Sequence, residues 1–305
     1  MRRIGIIVTF SLLVIFLVAC GGNKDTNEAG GKIFQFGAQN WSDPKIMGQI
    51  VKQLIEDQTI HEVEITEDIQ ASPQVIHAMI QDEFDIASLL SGEIYNNWFD
   101  EDEVEFTTDP EKTMEQVQDL FKKHHGFEWY DSIGFANQYG LAVREEFAEE
   151  HNLSKMSDLA PLAADIEMGA DTTWRERDID GYGPYSETYG YEFKDVRGMD
   201  ASLMYEGISS GDLDIILAYT IDPQINEHNL VLLEDDFQFF PPYESSIVTK
   251  EEIVEEYPEV AEILESLVDS ITAEEMTELV GEVDLKNRPT AEVAKEFLQE
   301  KGLLD

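Results

Sequence analysis

Residues 214–243 read DIILAYTIDPQINEHNLVLLEDDFQFFPPY, and the predicted fold is organised around this stretch. The apolar run 215–218 is typical of a buried strand, Tyr219 stands at its carboxyl end, and a second strand is predicted over 230–233. Ligands of α/β proteins gather at the carboxyl ends of strands, so we expect a ligand contact at Tyr219. Tyr243 follows two prolines, whose fixed φ angles stiffen the backbone that presents it. A purely structural role for both tyrosines, as core aromatics with a hydroxyl at the surface, stays open.

The amino terminus has the pattern of a secretory signal. A short basic head precedes an apolar run over 4–18, which is shorter than a comfortable membrane span. The run ends in Leu-Val-Ala-Cys-Gly, which resembles the lipidation site of bacterial lipoproteins, with Cys20 as the lipidated residue; an uncleaved signal anchor is the alternative. Cys20 is the only cysteine, so no disulfide can form within the chain. We predict a signal peptide over 1–20 and a flexible tether over 21–32.

The composition indicates a globular and strongly acidic protein. With 42% hydrophobic and 10% aromatic residues the chain is not of the disordered class. It carries 65 acidic and 20 basic residues, a net charge of −45, and such a charge repels nucleic acid and anionic lipid surfaces. Concentrated salt screens self-repulsion of this size. We therefore expect a halophilic or alkaliphilic host and a fold whose stability depends on salt.

The segment after the tether has the alternation of an α/β protein. Strands are predicted over 33–37, 62–66 and 84–90, with helical patterns between them, so an open and mainly parallel sheet flanked by helices is expected. Gln39 then lies near the same carboxyl edge as the loop 88–93. A ligand contact and a loop-stabilising amide are both open for Gln39.

The segment 129–143, WYDSIGFANQYGLAV, is interpreted as the crossing into a second lobe, because glycines bracket an aromatic and amide cluster ahead of a new strand. Asn137 in this cluster is a candidate ligand contact. We predict a first lobe over 33–136 plus 236–305 and a second lobe over 137–235. After the chain returns to the first lobe, a helix is predicted over 251–268.

The motifs GAQNW, FDIAS, WYDSIGFANQY, TYGYEF, LAYTID and FFPPY follow one another in a recognisable order and spacing. In this the chain resembles the substrate-binding lipoproteins of ABC importers for quaternary ammonium solutes, namely glycine betaine, carnitine and choline. The resemblance spans the chain from Lys32 onward. It implies two α/β lobes of the type II periplasmic-binding-protein class, a two-segment hinge that closes on ligand, and a permease as partner. It also implies a tyrosine box for the cation, with three members at Tyr139, Tyr219 and Tyr243.

The sequence departs from the family pattern after the third strand. Leu90 stands where a fourth box tyrosine is expected, and Glu93 stands where a hydroxyl residue is usual. Losing one aromatic face removes roughly 0.5–2 kcal/mol of cation attraction. A buried glutamate opposes a ligand carboxylate, which favours a net cation such as choline. The alternative, that Glu93 points to solvent, stays open.

Two other functions are weighed against ligand capture for import. An extracellular hydrolase with a carboxylate pair is disfavoured, because the chain has no zinc spacing such as H-E-x-x-H and no nucleophile elbow is predicted. A sensor would keep the hinged fold but present ligand to a receptor. No cofactor is predicted, and no metal site, since His124-His125 lacks further ligands at suitable spacing. We expect a monomer that is lipid-anchored on the extracellular face of the membrane.

Overall fold

The computed structural model describes residues 26–27, 30–100 and 102–304. The predicted signal peptide, the lipidation site at Cys20 and most of the predicted tether lie outside the described residues. The strands are β1 (Ile33–Gln39), β2 (Glu62–Ile69), β3 (Ile86–Leu90), β4 (Phe127–Trp129), β5 (Tyr139–Arg144), β6 (Glu167–Ala170), β7 (Asp195–Gly198), β8 (Ile215–Tyr219), β9 (Leu230–Leu233) and β10 (Ser245–Lys250).

The α-helices are α1 (Ser42–Gln58), α2 (Ser72–Ile80), α3 (Pro110–His125), α4 (Glu145–His151), α5 (Thr172–Arg175), α6 (Tyr182–Tyr189), α7 (Ala201–Ser210), α8 (Gln224–Glu227), α9 (Glu251–Glu256), α10 (Pro258–Glu265), α11 (Ala273–Asp284) and α12 (Thr290–Glu300). Within the described part of the chain, none of these helices has the length and apolar character needed to cross a membrane. The predicted helix over 251–268 is wrong, because Pro258 begins a new helix after Tyr257 and so separates α9 from α10.

The strands form two five-stranded sheets, one in each lobe. The first sheet has the order β2-β1-β3-β10-β4, and the second has the order β7-β6-β8-β5-β9. Buried apolar side chains cover both faces of each sheet, in four clusters. The predicted two-lobed α/β architecture is confirmed.

The sheets are mixed, whereas the sequence predicts mainly parallel sheets. Two of the four strand pairings in each sheet are antiparallel, and they involve β10 in the first sheet and β5 in the second. Both are strands that arrive from the other lobe. Because such a strand enters the sheet at the edge that faces the cleft, it must run against the parallel strands that end there. The amino ends of β5 and β10 and the carboxyl ends of β1, β3, β6 and β8 therefore meet at the cleft.

The chain passes between the lobes twice, once between β4 and β5 and once between β9 and β10. The predicted lobe boundaries at 136/137 and 235/236 fall within these connections, and their exact positions stay a prediction.

Candidate ligand-binding site

Three tyrosines converge at the cleft edge of the second sheet. Tyr139 begins β5 and Tyr219 ends β8, and the two residues lie opposite each other in the antiparallel ladder. Their ring centroids are 5.2 Å apart. Tyr243 precedes β10 on the returning connection, and its ring meets that of Tyr139 edge to face at 5.6 Å. The prediction that these rings share one site therefore agrees with the geometry.

Two further aromatic side chains extend the cluster. Phe240 is buried and lies 5.8 Å from Tyr139, centroid to centroid. Trp41, from the loop between β1 and α1 of the first lobe, lies 4.9 Å from Tyr219 and is 37% exposed. We name Tyr139, Tyr219, Tyr243 and Phe240 the aromatic box. Trp41 lies at its outer edge and brings the first lobe against it.

The three tyrosines of the box are neutral phenols. Burial raises the pKa of Tyr139, Tyr219 and Tyr243 above the ordinary value for tyrosine. The hydroxyl of Tyr219 donates to Oδ2 of Asp171 over 3.0 Å, and the hydroxyl of Tyr243 donates to Oδ2 of Asp180. Because both hydroxyls are held by carboxylates, the ring orientations are fixed and the electron-rich faces remain available to a cation.

A protein cation already stands against the box. The guanidinium carbon of Arg177 lies 5.9 Å from the ring centroid of Tyr139 and 6.0 Å from that of Tyr243. Its Nε pairs with Oδ1 of Asp180 over 2.6 Å, and its Nη2 donates to the Tyr243 hydroxyl over 2.7 Å. The side chain of Asp180 is 2% exposed and that of Arg177 is 16% exposed. This is a nearly enclosed ion pair with one face on two aromatic rings.

Glu93 is buried, so the alternative that it points to solvent is wrong. It is 4% exposed on the 3-10 turn Ser91–Tyr95 that follows β3, and its Oε2 accepts a hydrogen bond from the amide of Asn96. Burial raises the pKa of Glu93, and the nearby positive charge of Arg177 opposes that rise.

The same turn is pressed against the aromatic box. A side chain at Gly92 would overlap the ring of Tyr243, and the hydroxyl of Ser91 both donates to Pro242 O and accepts from Glu244 N. Leu90 is half-buried and belongs to none of the four core clusters. A role for Leu90 as a wall of the site stays a prediction.

The two predicted amide contacts lie at the cleft edge. Gln39 ends β1, is 6% exposed, and its Oε1 has no hydrogen-bond partner among the described residues. Asn137 donates from Nδ2 to Oδ2 of Asp43 over 3.5 Å, while its Oδ1 likewise has no partner within residues 30–100 and 102–304. An unpaired buried acceptor costs about 1–3 kcal/mol. Each oxygen is therefore a place where a donor on a ligand would be favourable.

Two other sequence features, the histidine pair at 124–125 and the letters G-x-S-x-G at 207–211, are not part of this site. His124 is exposed and pairs with Glu103 at 3.1 Å. No cluster of three or more His, Cys, Asp or Glu side chains with metal-binding geometry occurs in the described residues. The letters G-x-S-x-G do occur at 207–211, but Ser209 lies in the last turn of α7, which Gly211 caps with φ of 84°. A nucleophile elbow requires a strand-to-helix turn, so this segment is not one.

The sequence interpretation missed Arg177, Asp180 and Asp171. All three lie between β6 and α6. The sequence did contain a signal for these residues, namely their position shortly after a predicted strand. Asp171 directly follows β6, whose carboxyl end lies at the same edge of the sheet as that of β8. Arginine is rare in this acidic chain, so its place shortly after that edge was informative.

Comparisons with known proteins show which family the chain is related to. Residues 34–300 match the family described as the substrate binding domain of ABC-type glycine betaine transport systems. The chain is 33% identical to the carnitine transport binding protein OpuCC of Listeria monocytogenes, over 98% of this chain and 97% of that protein. It is 28% identical to a glycine-betaine-binding protein of Pseudomonas aeruginosa, over 94% of each. A crystal structure of a glycine betaine/carnitine/choline ABC transporter has a TM-score of 0.78 and 32% identity, covering 89% of this chain and 100% of that one.

Proposed function

The chain belongs to the family of substrate-binding domains of ABC-type glycine betaine transport systems, and from this premise we propose that it captures a quaternary ammonium solute in its aromatic box. The family is one of transport proteins and not of enzymes. Its members bind a small ligand outside the cytoplasm and work with a membrane permease. For this chain the proposal specifies glycine betaine, carnitine or choline as ligand and osmoprotection as the purpose.

The observation that carries the proposal is the guanidinium of Arg177 against two rings of the box. A cation within about 6 Å of a ring centroid is attracted by the ring quadrupole. The guanidinium carbon of Arg177 lies 5.9 and 6.0 Å from the two ring centroids, and a positive charge beside these faces supports a cation site. A trimethylammonium group offers no hydrogen bond, so desolvating aromatic walls are the means by which a protein can hold it.

Arg177 also bears on the charge of the ligand. The sequence favoured a net cation because Glu93 opposes a carboxylate. Arg177, however, adds a positive charge at the same site, and this charge attracts a carboxylate. The guanidinium has donors beyond those that bind Asp180 and Tyr243, and a ligand carboxylate is their natural partner. We therefore favour a zwitterion of the glycine betaine or carnitine type over choline.

The two unpaired amide oxygens support a ligand that carries a donor group. Gln39 and Asn137 each present an acceptor that no protein group satisfies within the described residues. A hydroxyl group on the solute would satisfy such an acceptor, while glycine betaine has none to offer. Among zwitterions, this favours a hydroxylated solute such as carnitine.

The proposal also covers how the protein is attached to the membrane and on which side it works. We propose that Cys20 carries the lipid anchor, that the folded lobes stand on the extracellular face of the membrane, and that a monomer delivers ligand to the permease. The sequence motif around Cys20 supports the anchor. Globomycin treatment of producing cells, which blocks lipoprotein signal cleavage, would leave an unprocessed precursor if the anchor is correct.

The test is calorimetric titration of the purified mature chain with glycine betaine, carnitine and choline. Tyr139→Ala, Tyr219→Ala and Tyr243→Ala should each weaken binding of the preferred ligand at least about tenfold, because each removes a desolvated cation-π face. Tyr257→Ala is the matched control, since Tyr257 is a half-buried tyrosine of the first lobe that packs on Phe34. Unchanged affinity in all three box variants would refute the proposal.

A further inference from the structure

The lobes also meet at a contact next to the aromatic box. The turn that follows β8 in the second lobe reaches into the first lobe, where Ile221 is buried in a core cluster of that lobe. Pro223 faces α11, since a methyl group at Gly281 would stand 3.4 Å from the Pro223 Cβ. This contact joins the second lobe to the first.

Three carboxyl groups gather at this contact from both sides. Asp222 belongs to the turn of the second lobe, while Asp43 lies in the first turn of α1 and Asp284 ends α11 in the first lobe. Asp43 and Asp222 are partly buried, and Asp284 stands at the exposed edge. We name these three residues the interlobe carboxylates. Asp222 and Asp284 lie close enough to Asp43 to affect its ionisation, and Asp284 also affects that of Asp222.

The partners of the interlobe carboxylates are neutral. Asp43 accepts from the amide of Asn137, and Asp284 accepts from the hydroxyl of Ser42. Asp222 accepts from the hydroxyl of Tyr205 on α7 and from the backbone N–H of Tyr219, over 3.2 Å for the latter.

No salt bridge to Asp43, Asp222 or Asp284 is found within the described residues. The cations on the adjoining helices are engaged elsewhere. Lys45 of α1 pairs with Asp68, while Lys286 and Arg288, which follow α11, pair with Glu282. The charge at the contact is therefore balanced only by protons or by ions from solution.

We propose that closing the lobes takes up protons at Asp43 and Asp222, so that the protein holds its solute more tightly in acidic than in alkaline medium. The inference rests on the proposed function, because it requires a ligand whose capture closes the lobes. In the open form Asp222 separates from Asp43 and Asp284, and water solvates all three. In the closed form they share one poorly compensated contact.

Whether affinity rises or falls with pH depends on whether the open or the closed form binds protons more strongly. Burial raises the pKa of Asp43 to about 7 and that of Asp222 to about 6, with neighbouring carboxylates adding to both shifts. Open lobes leave these groups nearer the ordinary value of 3.8. A group whose pKa rises on closure opposes closure when it is ionised. The opposition is absent below the ordinary pKa, grows between the two values, and is complete above pH of about 7.

The experiment measures ligand affinity and proton uptake together. Titration calorimetry with glycine betaine, carnitine and choline in buffers of different ionisation enthalpy gives the number of protons bound on ligand capture. At about pH 6, Asp43→Asn and Asp222→Asn should each reduce that number by about half a proton or more. Each variant should bind at least about tenfold more tightly than wild type at about pH 8, where both acids are ionised, and about equally at about pH 4. Glu115→Gln, which removes an exposed acid on α3, is the charge-matched control.

The outcomes separate this inference from the proposed function. Binding with the same proton uptake in wild type, Asp43→Asn and Asp222→Asn overturns the inference and leaves the proposed function standing. Failure of all three solutes to bind at any pH overturns the proposed function. In that case, small-angle scattering of the ligand-free protein still tests whether protonation of the interlobe carboxylates favours closure. A radius of gyration that is larger at about pH 8 than at about pH 5 in wild type, but not in Asp43→Asn, supports proton-linked closure. An unchanged radius contradicts it.

Discussion

Replacing Arg177 by glutamine should change which solute the protein prefers. In wild type the guanidinium is nearly enclosed, paired with Asp180 over 2.6 Å, and faces two rings of the aromatic box. A hydrogen bond to a charged group contributes about 1.5–3 kcal/mol. Losing one such bond to a ligand carboxylate should weaken glycine betaine or carnitine binding by about ten- to a hundredfold. Choline has no carboxylate and is repelled by the guanidinium, so its affinity should stay the same or rise.

The variant has a second consequence that needs its own control. Removing Arg177 leaves Asp180, which is 2% exposed, as an unpaired buried charge, and breaking a buried pair from one side costs about 3–5 kcal/mol of folding free energy. The double variant Arg177→Gln/Asp180→Asn removes both charges. It should recover much of that stability in urea unfolding while keeping the loss of carboxylate recognition.

Calorimetry with glycine betaine, carnitine and choline on wild type, the single variant and the double variant supplies the measurement. The ratio of zwitterion affinity to choline affinity should fall in both variants. If that ratio is the same in all three proteins, Arg177 does not read the ligand carboxylate. The argument for a zwitterion would then fail, while the aromatic box itself would stand.

Four further results are expected. Trp174→Ala should lower the free energy of unfolding by about 3–5 kcal/mol in urea, because the indole is fully buried in the second lobe; a loss below about 1 kcal/mol would contradict its assignment to the core. Gly92→Ala should weaken solute binding and also lower the melting temperature, since the new methyl group overlaps the buried Tyr243 ring, and unchanged calorimetric affinity would speak against it. Glu93→Gln should raise the melting temperature more at about pH 8 than at about pH 4, because an acid with a raised pKa costs stability only when ionised; an equal effect at both pH values would be the opposing result. The melting temperature should climb between low and about molar salt, since screening reduces the self-repulsion of a net charge of −45, and a flat curve would reject the salt-dependent fold.

The tyrosines of the site were predictable from the sequence for a physical reason. Tyr219 ends an apolar strand, and strand ends in α/β proteins lie at the ligand edge regardless of how the helices pack. Tyr243 follows two prolines that limit its backbone. The strand-helix alternation likewise predicted the α/β sheet of the first lobe, and the glycine-bracketed segment 129–143 predicted the crossing into a second lobe. These features depend on local patterns, which a single sequence contains.

What the sequence could not supply depends on contacts between distant segments. The orientation of Glu93 is decided by a 3-10 turn that packs against Tyr243, a partner 150 positions away in the chain. Arg177 reaches the box only because Asp180 and the Tyr243 hydroxyl hold it there. The antiparallel strands β5 and β10 follow from the double crossing between lobes, and periodicity alone does not reveal strand direction.

The register of β5 against β8 determines how a solute would enter. Tyr139 and Tyr219 are partners in one ladder of the second sheet, whereas Tyr243 rests on Gly92 of the first lobe. Backbone hydrogen bonds keep the first two rings at a constant separation however widely the halves swing apart. A solute that arrives while the lobes are apart would thus contact Tyr139 and Tyr219 before Tyr243 and the first lobe reach it. We therefore expect the solute to bind first to the second sheet and only then to the first lobe.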